Sequence, residues 1–298
     1  MSLSSIARSL PDAFFPLYLK APAKVNLFLR ITGKRADGYH ELQSLMCPIS
    51  LCDEICLCRS RGGVRLTVHG GGGQVPETPD NLASKAAVAF CAATGYVPDL
   101  DIYVKKKIPV SAGLGGGSSD AAAVLSALNR VCGYPLSGPD LAALALSLGA
   151  DVPFFLMGGA AWAEGIGECL ESLRNIQPYP LVLVNPGVPL STQQVYKNLK
   201  WGLTKEGIKT KKPHFEEALM DPLPWLFNDL EPVAISMCPE VDTARSALIS
   251  AGASRVLVSG SGPTVFGVFS EDRMAMEAEA FLAGCCTRWI VIAAHLMP

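Results

Sequence analysis

The sequence predicts an α+β protein of two domains, and three observations carry that prediction. The first is a β-like run, Leu100 to Val110, that passes into Gly113, Gly115, Gly116 and Gly117 and then into an Ala-rich helix reaching about Arg130. The second is a C-terminal half in which short strands alternate with helical segments. The third is length: 298 residues suggest about two domains. The boundary falls near Glu168 to Gln177 and divides the chain into 1–172 and 173–298.

The elements follow in chain order. Leu17 to Thr32 alternates as a strand, with Val25, Leu27, Leu29 and Ile31 on one face and Lys24, Asn26 and Phe28 on the other. Asp37-Gly38 makes a turn; Leu42–Cys58 and Val64–Val68 continue as strands, and Gly70–Gly73 is a second turn. Asn81–Thr94 is a helix capped by Asp80 or Asn81. A helix over Asp140–Leu148 starts after Pro139 and stops at Gly149. Asp151-Val-Pro is expected to be non-helical, because a proline biases the residue before it to extended geometry.

Ala160–Ala163 and Leu181–Asn185 read as short strands, and Lys205–His214 as a lysine-rich connection. Helices over Asp229–Met237 and Val241–Ala251 precede a strand–turn–strand over Arg255–Phe269 that turns at Gly260-Ser-Gly-Pro263. A helix over Glu271–Leu282 and a strand over Arg288–Ala293 close the chain.

Composition excludes several classes. Hydrophobic residues are 49% and charged residues 17%, which fits an enzyme with a large core. Lys+Arg is 25 against Asp+Glu 27, a net charge of −2, so nucleic acid is not the expected partner. No apolar run reaches the ~18 residues of a membrane span. Pro11, Asp12 and Pro16 interrupt the N-terminal stretch, which reads as a short extension rather than a signal peptide. Ten cysteines form no disulfide or zinc framework: Cys47, Cys52, Cys56 and Cys58 lack zinc spacing, and free buried thiols in a reducing cytosol are expected.

The glycine loop is the chemically informative segment. Glycines let a ligand approach the backbone closely. The first N–H groups of the following helix lack intrahelical partners, and the helix dipole is positive there, so the corner suits a phosphate. It is not the P-loop of the NTPases, because Ser118 rather than lysine follows Gly117. It is not the dinucleotide fingerprint either, because Ser118 stands where the last glycine of that pattern belongs. A turn that merely packs a helix closely is the competing reading.

Four further groups stand out. Lys24 and Asn26 share one face of a strand; a lysine there supplies a point charge, and a solvated outer face is the alternative. Asp151 follows a helix C-terminus, where a carboxylate does not stabilise the helix, and apolar residues come after it; a surface turn is the alternative. Tyr39 and His40 offer an aromatic ring and an imidazole after a turn, against the reading of a plain polar loop. Lys105 to Lys107 reads as a solvated strand edge.

Four stretches together resemble the GHMP kinases, the family of galactokinase, homoserine, mevalonate and phosphomevalonate kinases. PVSAGLGGGSSDAA resembles its phosphate-binding motif, and the extra glycines with the Asp after the serines resemble the branch that acts on cytidylyl-methylerythritol. APAKVNLFLRITGKRADGYHELQSLM, LGADVPFFLMGGAAWAEGIGE and VSGSGPTVFGVF resemble that branch's N-terminal, central and C-terminal motifs, in the same order.

The resemblance implies a two-domain GHMP kinase fold, an N-terminal ATP-binding α/β domain and a C-terminal α+β domain with the active site in the cleft. It implies ATP as phosphoryl donor, Mg²⁺ as its companion, and transfer to the 2-hydroxyl of 4-(cytidine 5′-diphospho)-2-C-methyl-D-erythritol, a step of the non-mevalonate route to isopentenyl diphosphate. Asp151 is then the expected base and Lys24 its charged partner. Pro109, Val110, Ser111, Ala112, Gly113, Leu114, Gly115, Gly116, Gly117, Ser118 and Ser119 are expected to wrap the ATP phosphates, with Ser118 or Ser119 a candidate Mg²⁺ ligand. Tyr39 and His40 are expected to hold the cytosine, Tyr196 to stack on its other face, and Asn26 to lie near the reacting hydroxyl. A cytoplasmic enzyme, monomeric or a weak homodimer, is expected. Homoserine- or mevalonate-type kinases and a non-catalytic nucleotide-binding protein on the same fold are the alternatives.

Overall fold

Two long strands, β1 (Leu17–Lys34) and β2 (His40–Arg59), run through both of the compact units into which the chain divides. The computed structural model describes residues 8–60, 62–71, 75, 80–199 and 221–297; Lys205–His214, the second half of the Gly70–Gly73 turn and the first seven residues of the N-terminal extension lie outside the described residues. The units interleave in sequence: one comprises 1–22, 52–110 and 116–157, the other 23–51, 111–115 and 158–298.

In the first unit, β3 (Val64–Gly70) pairs in parallel with β4 (Leu100–Lys106), which pairs antiparallel with Glu54–Arg59 of β2. A parallel pair needs a long crossover, and α1 (Leu82–Thr94) lies in it. The Asn81 side chain caps α1 by accepting from the Ala83 N–H at 2.9 Å. The helices α2 (Gly116–Val131), α3 (Gly138–Leu148) and α4 (Val152–Met157) join it around one core. There Phe90, Leu125, Leu128 and Val152 meet Ile55, Leu57, Ile102 and Val104 of the sheet.

In the second unit, β5 (Ala161–Glu164) pairs antiparallel with Ser44–Met46 of β2 and with β6 (Cys169–Ser172). β7 (Pro180–Asn185) leads to the short helix α5 (Thr192–Lys197), and β8 (Phe227–Asn228) pairs in parallel with Phe28 and Leu29 of β1. Then come α6 (Glu231–Met237), α7 (Pro239–Ser250), β9 (Arg255–Val258), β10 (Val265–Val268), α8 (Asp272–Cys285) and β11 (Ile290–His295). An antiparallel sheet in the order β11-β7-β10-β9 packs its apolar face on α7 and α8, with Val182, Val184, Leu248, Val265 and Leu282 buried together.

Several expectations are corrected. Asp151-Val-Pro does not stay extended: α4 begins at Val152, and a proline in the first turn of a helix loses no intrahelical hydrogen bond. β4 ends at Lys106, not Val110, because the Lys107 and Ile108 N–H groups donate to the Asp53 carboxylate instead of to a neighbouring strand. α6 starts at Glu231 rather than Asp229, whose carboxylate accepts from the Ile31 N–H at 2.8 Å and so stays with β1. β6, β8 and α5 were not legible as elements; all have six residues or fewer. The ten cysteines are free, but only Cys47, Cys91 and Cys238 are buried; five are half-buried, and Cys169 and Cys285 are exposed. Among the described residues no helix is long and apolar enough to cross a membrane, and no cluster of His, Cys, Asp and Glu could hold a metal ion.

Candidate functional site

β1 is buried on both faces from Ala23 to Leu29, so the solvated-face alternative for Lys24 does not hold: Lys24 is 5% exposed and Asn26 4%. Burying an ammonium is costly unless it is paired and hydrogen-bonded. The Lys24 Nζ donates to Asn26 Oδ1 at 2.5 Å. Asn26 Nδ2 donates to Ser44 Oγ at 2.9 Å, and Ser44 Oγ to the Phe28 carbonyl at 2.7 Å. Asn26 therefore orients the ammonium, and β2, through Ser44, orients Asn26.

The tip of the glycine loop belongs to the same unit. The Lys24 N–H donates to the Leu114 carbonyl at 3.0 Å, and Ser259 Oγ to the Gly113 carbonyl at 3.1 Å. Gly113 has φ +76°, and a Cβ there would stand 2.5 Å from the Ser259 carbonyl oxygen and 3.0 Å from that of Gly262. No side chain fits, which is the physical reason for glycine at this position. The turn between β9 and β10 thus backs the loop tip. Asn228 holds that turn, with Nδ2 donating to the Val258 and Gly260 carbonyls at 2.8 and 2.7 Å.

The two ends of the loop belong to the other unit. α2 begins inside the loop, at Gly116, so the Gly117, Ser118 and Ser119 N–H groups lie in its first turn, where they have no intrahelical acceptors. Ser119 Oγ is buried and has no hydrogen-bond partner among the described residues. Ser118 Oγ lies 3.9 Å from the position a Cβ would take on Gly149, which places it beside the segment carrying Asp151. Asp151 is half-buried and directly precedes α4.

Beneath this end of the loop sits a cluster that the sequence reading missed. Lys106 is no solvated edge residue: its side chain is 5% exposed and its ammonium lies between the carboxylates of Asp53 and Asp120, 2.8 Å from the latter. Asp53, fully buried on β2, also accepts from the Lys107 and Ile108 N–H groups at 2.6 and 2.9 Å. Burial opposes the charge on Lys106, but the Asp120 and Asp53 carboxylates outweigh it and hold its pKa above the usual lysine range. Burial pushes Asp120 up to about 7, with Lys106 resisting and Asp53 reinforcing the rise. The only available signal was the Asp that follows the two serines.

Among the expected cytosine contacts, His40 and Tyr196 come together with ring centroids 5.2 Å apart, tilted by 34°. Their separation leaves no room for a base between those two rings. Tyr39 is exposed, and its N–H donates to Asp37 Oδ1 at 3.1 Å, fixing the turn from which its ring projects. Burial first, then the charge of Lys34, lowers the His40 pKa, so the imidazole is neutral at pH 7 and offers one donor and one acceptor.

The chain matches the family model described as the GHMP kinases N terminal domain over residues 81–159 and that of the GHMP kinases C terminal over 215–284. It is 47% identical over 263 residues to the 4-diphosphocytidyl-2-C-methyl-D-erythritol kinase of Geobacter sulfurreducens, covering 88% of this chain and 93% of that protein. A solved structure of 4-(cytidine 5′-diphospho)-2C-methyl-D-erythritol kinase superposes with a TM-score of 0.80 at 36% identity, covering 95% of this chain and 100% of the other. Homoserine kinase from Cytophaga hutchinsonii shares the fold, with a TM-score of 0.71 at 20% identity over 97% of this chain and 96% of that one.

Proposed function

This chain belongs to the GHMP kinase family, and from that premise we propose that it transfers the terminal phosphoryl group of ATP to the 2-hydroxyl of 4-(cytidine 5′-diphospho)-2-C-methyl-D-erythritol. The observation that carries the proposal is the 47% identity, over nearly the whole length of both chains, to a relative that bears this activity in its name. The homoserine kinase likeness, at 20% identity, speaks for the fold alone. The product is an intermediate of non-mevalonate isoprenoid synthesis. We place the division between the two sequence domains at residue 172, between the family matches over 81–159 and 215–284. We assign the enzyme to the cytoplasm, in keeping with its ten free cysteines.

Phosphoryl transfer needs positioning and charge stabilisation more than covalent help. The backbone of Pro109–Ser119 and the first turn of α2 supply N–H donors and a positive dipole end to the ATP phosphates. Asp151 accepts the proton of the attacking hydroxyl. Lys24, with its ammonium fixed by Asn26, complements the negative charge that develops on the transferring group. Ser119 fits Mg²⁺ as a hydroxyl ligand because its buried Oγ has no other partner among the described residues, and Ser118 is the alternative. The metal, when bound, would neutralise phosphate charge.

The exposed ring of Tyr39 stacks on the cytosine, Tyr196 covers its other face, and the neutral His40 reads the edge of the base. Tyr39→Ala is expected to raise KM for the cytidylyl substrate at least about fivefold, the scale of one base–aromatic stack, with KM for ATP unchanged. Equal small effects on both constants would remove Tyr39 from the cytosine site.

The deciding experiment is a phosphoryl-transfer assay with ATP and three acceptors: the cytidylyl substrate, homoserine and mevalonate. Turnover confined to the first, and dependent on Mg²⁺, is expected. Turnover of either other acceptor with comparable kcat/KM would replace the proposed substrate, and no ATP consumption with any of them would favour a non-catalytic nucleotide-binding protein.

A further inference from the structure

We propose that Asp53 and Asp120 are positioning residues for the nucleotide: acting through Lys106, they clamp the strand that leads into the glycine loop to the helix that leaves it. The inference rests on the reading of that loop as the ATP phosphate site.

The clamp has two halves. One carboxylate oxygen of Asp53 takes both the Lys107 and Ile108 N–H groups, so the chain leaves the β4 ladder at a defined point and turns into Pro109. The other oxygen holds the Lys106 ammonium, which also donates to Asp120 Oδ2. Asp120 is the fifth residue of α2, and β4 and α2 are the two elements that the loop connects. The ammonium and Ile108 then close on Gly116 from below. A Cβ at Gly116 would lie 3.3 Å from Lys106 Nζ and 3.0 Å from Ile108 Cγ2. The first residue of the helix is thus seated on the clamp.

Burial makes the clamp rigid. All three side chains are 5% exposed or less, so each charge has been taken out of water and leaving one unpaired is costly. The second carboxylate oxygen of Asp120 has no hydrogen-bond partner among the described residues, and its other oxygen accepts from Lys106. A loop whose two ends are tied this way presents its N–H groups to the phosphates without first having to be ordered, and preorganisation of that kind is read as nucleotide affinity.

The test compares Asp53→Leu, Asp53→Asn and Asp120→Asn in the full-length enzyme, by ADP calorimetry, KM for ATP, KM for the acceptor and thermal unfolding. Asp53→Leu leaves two N–H groups without their acceptor and the ammonium with Asp120 alone, so ADP affinity and KM for ATP are expected to worsen at least about tenfold. Asp53→Asn keeps an acceptor for the N–H groups and is expected to lie between it and wild type. Asp120→Asn is the mildest change, retains the fold, and is expected to weaken ADP binding about threefold or more, the loss of part of one charge-assisted hydrogen bond. KM for the acceptor should stay within about twofold throughout, which a general loosening of the fold would not allow. Unchanged ADP affinity in Asp120→Asn and Asp53→Asn would overturn the proposal. So would equal rises in both KM values that track the loss in melting temperature. ADP calorimetry needs no acceptor, so a wrong assignment of the acceptor would show in wild-type turnover and leave this result readable.

Discussion

Replacing Asp151 by alanine or asparagine is expected to lower kcat by at least about two orders of magnitude, the usual scale of general-base catalysis, while ADP binding stays close to wild type. Asp151 stands at the start of α4, outside the glycine loop, and the first core residue after it, Val152, is fully buried. The variants should therefore fold, since the change falls on a half-buried side chain at a helix boundary. The measurement is a single-turnover quench with saturating ATP and the cytidylyl acceptor, because steady-state kcat could be masked by slow product release. A single-turnover rate equal to wild type would remove Asp151 from the chemistry. A loss confined to KM for the acceptor would make it a binding residue instead.

Gly113→Ala is the second large effect expected. The site combines a φ of +76° with a Cβ position 2.5 Å from one carbonyl oxygen and 3.0 Å from another. Alanine in the left-handed region costs about 1–2 kcal/mol by itself. The clash adds to this, and only backbone movement can relieve it. Either the loop tip moves away from the β9–β10 turn or the turn moves away from Asn228. The first displaces the Leu114 carbonyl that accepts from the Lys24 backbone, and the second breaks the Asn228 hydrogen bonds that hold the turn. If the loop is the ATP phosphate site proposed above and the tip is what moves, KM for ATP is expected to rise more than about tenfold. Gly117→Ala is the contrast for stability: its φ is not positive, its nearest neighbour is Leu82 Cδ1 at 3.6 Å, and it lies inside α2. There alanine is the better helix former by about 1 kcal/mol, so the melting temperature should hold or rise. Gly113→Ala with a wild-type melting temperature and wild-type KM for ATP would show that the tip is not packed as described.

Much of the geometry around the candidate site was legible because its signals are local. The glycine loop, the helix that leaves it, the cap at Asn81 and the shared face of Lys24 and Asn26 all follow from residues within a few positions of one another. The strand–turn–strand over Arg255–Phe269 was legible for the same reason, and its Gly260-Ser-Gly-Pro263 turn is what supports the loop tip.

What escaped was whatever depends on a second layer. Alternation along β1 says which residues share a face, and it is silent on whether that face is covered; tertiary packing buried both faces and turned Lys24 from a plausible surface lysine into an oriented buried cation. The run Lys105-Lys106-Lys107 looks uniform in sequence, yet Lys106 alone has a buried side chain, because Asp53 meets it from the paired strand β2, 53 residues earlier in the chain, and Asp120 from the next helix. The chain by itself showed the longer elements in order and the glycine corner, through short-range spacing and turn chemistry, and its four motifs carried the resemblance to the family; α4, α5, β6 and β8 it did not show. Only the folded structure decided which charges are desolvated and which carboxylates answer them, since a charge's worth depends on neighbours that are close in space and far apart in sequence.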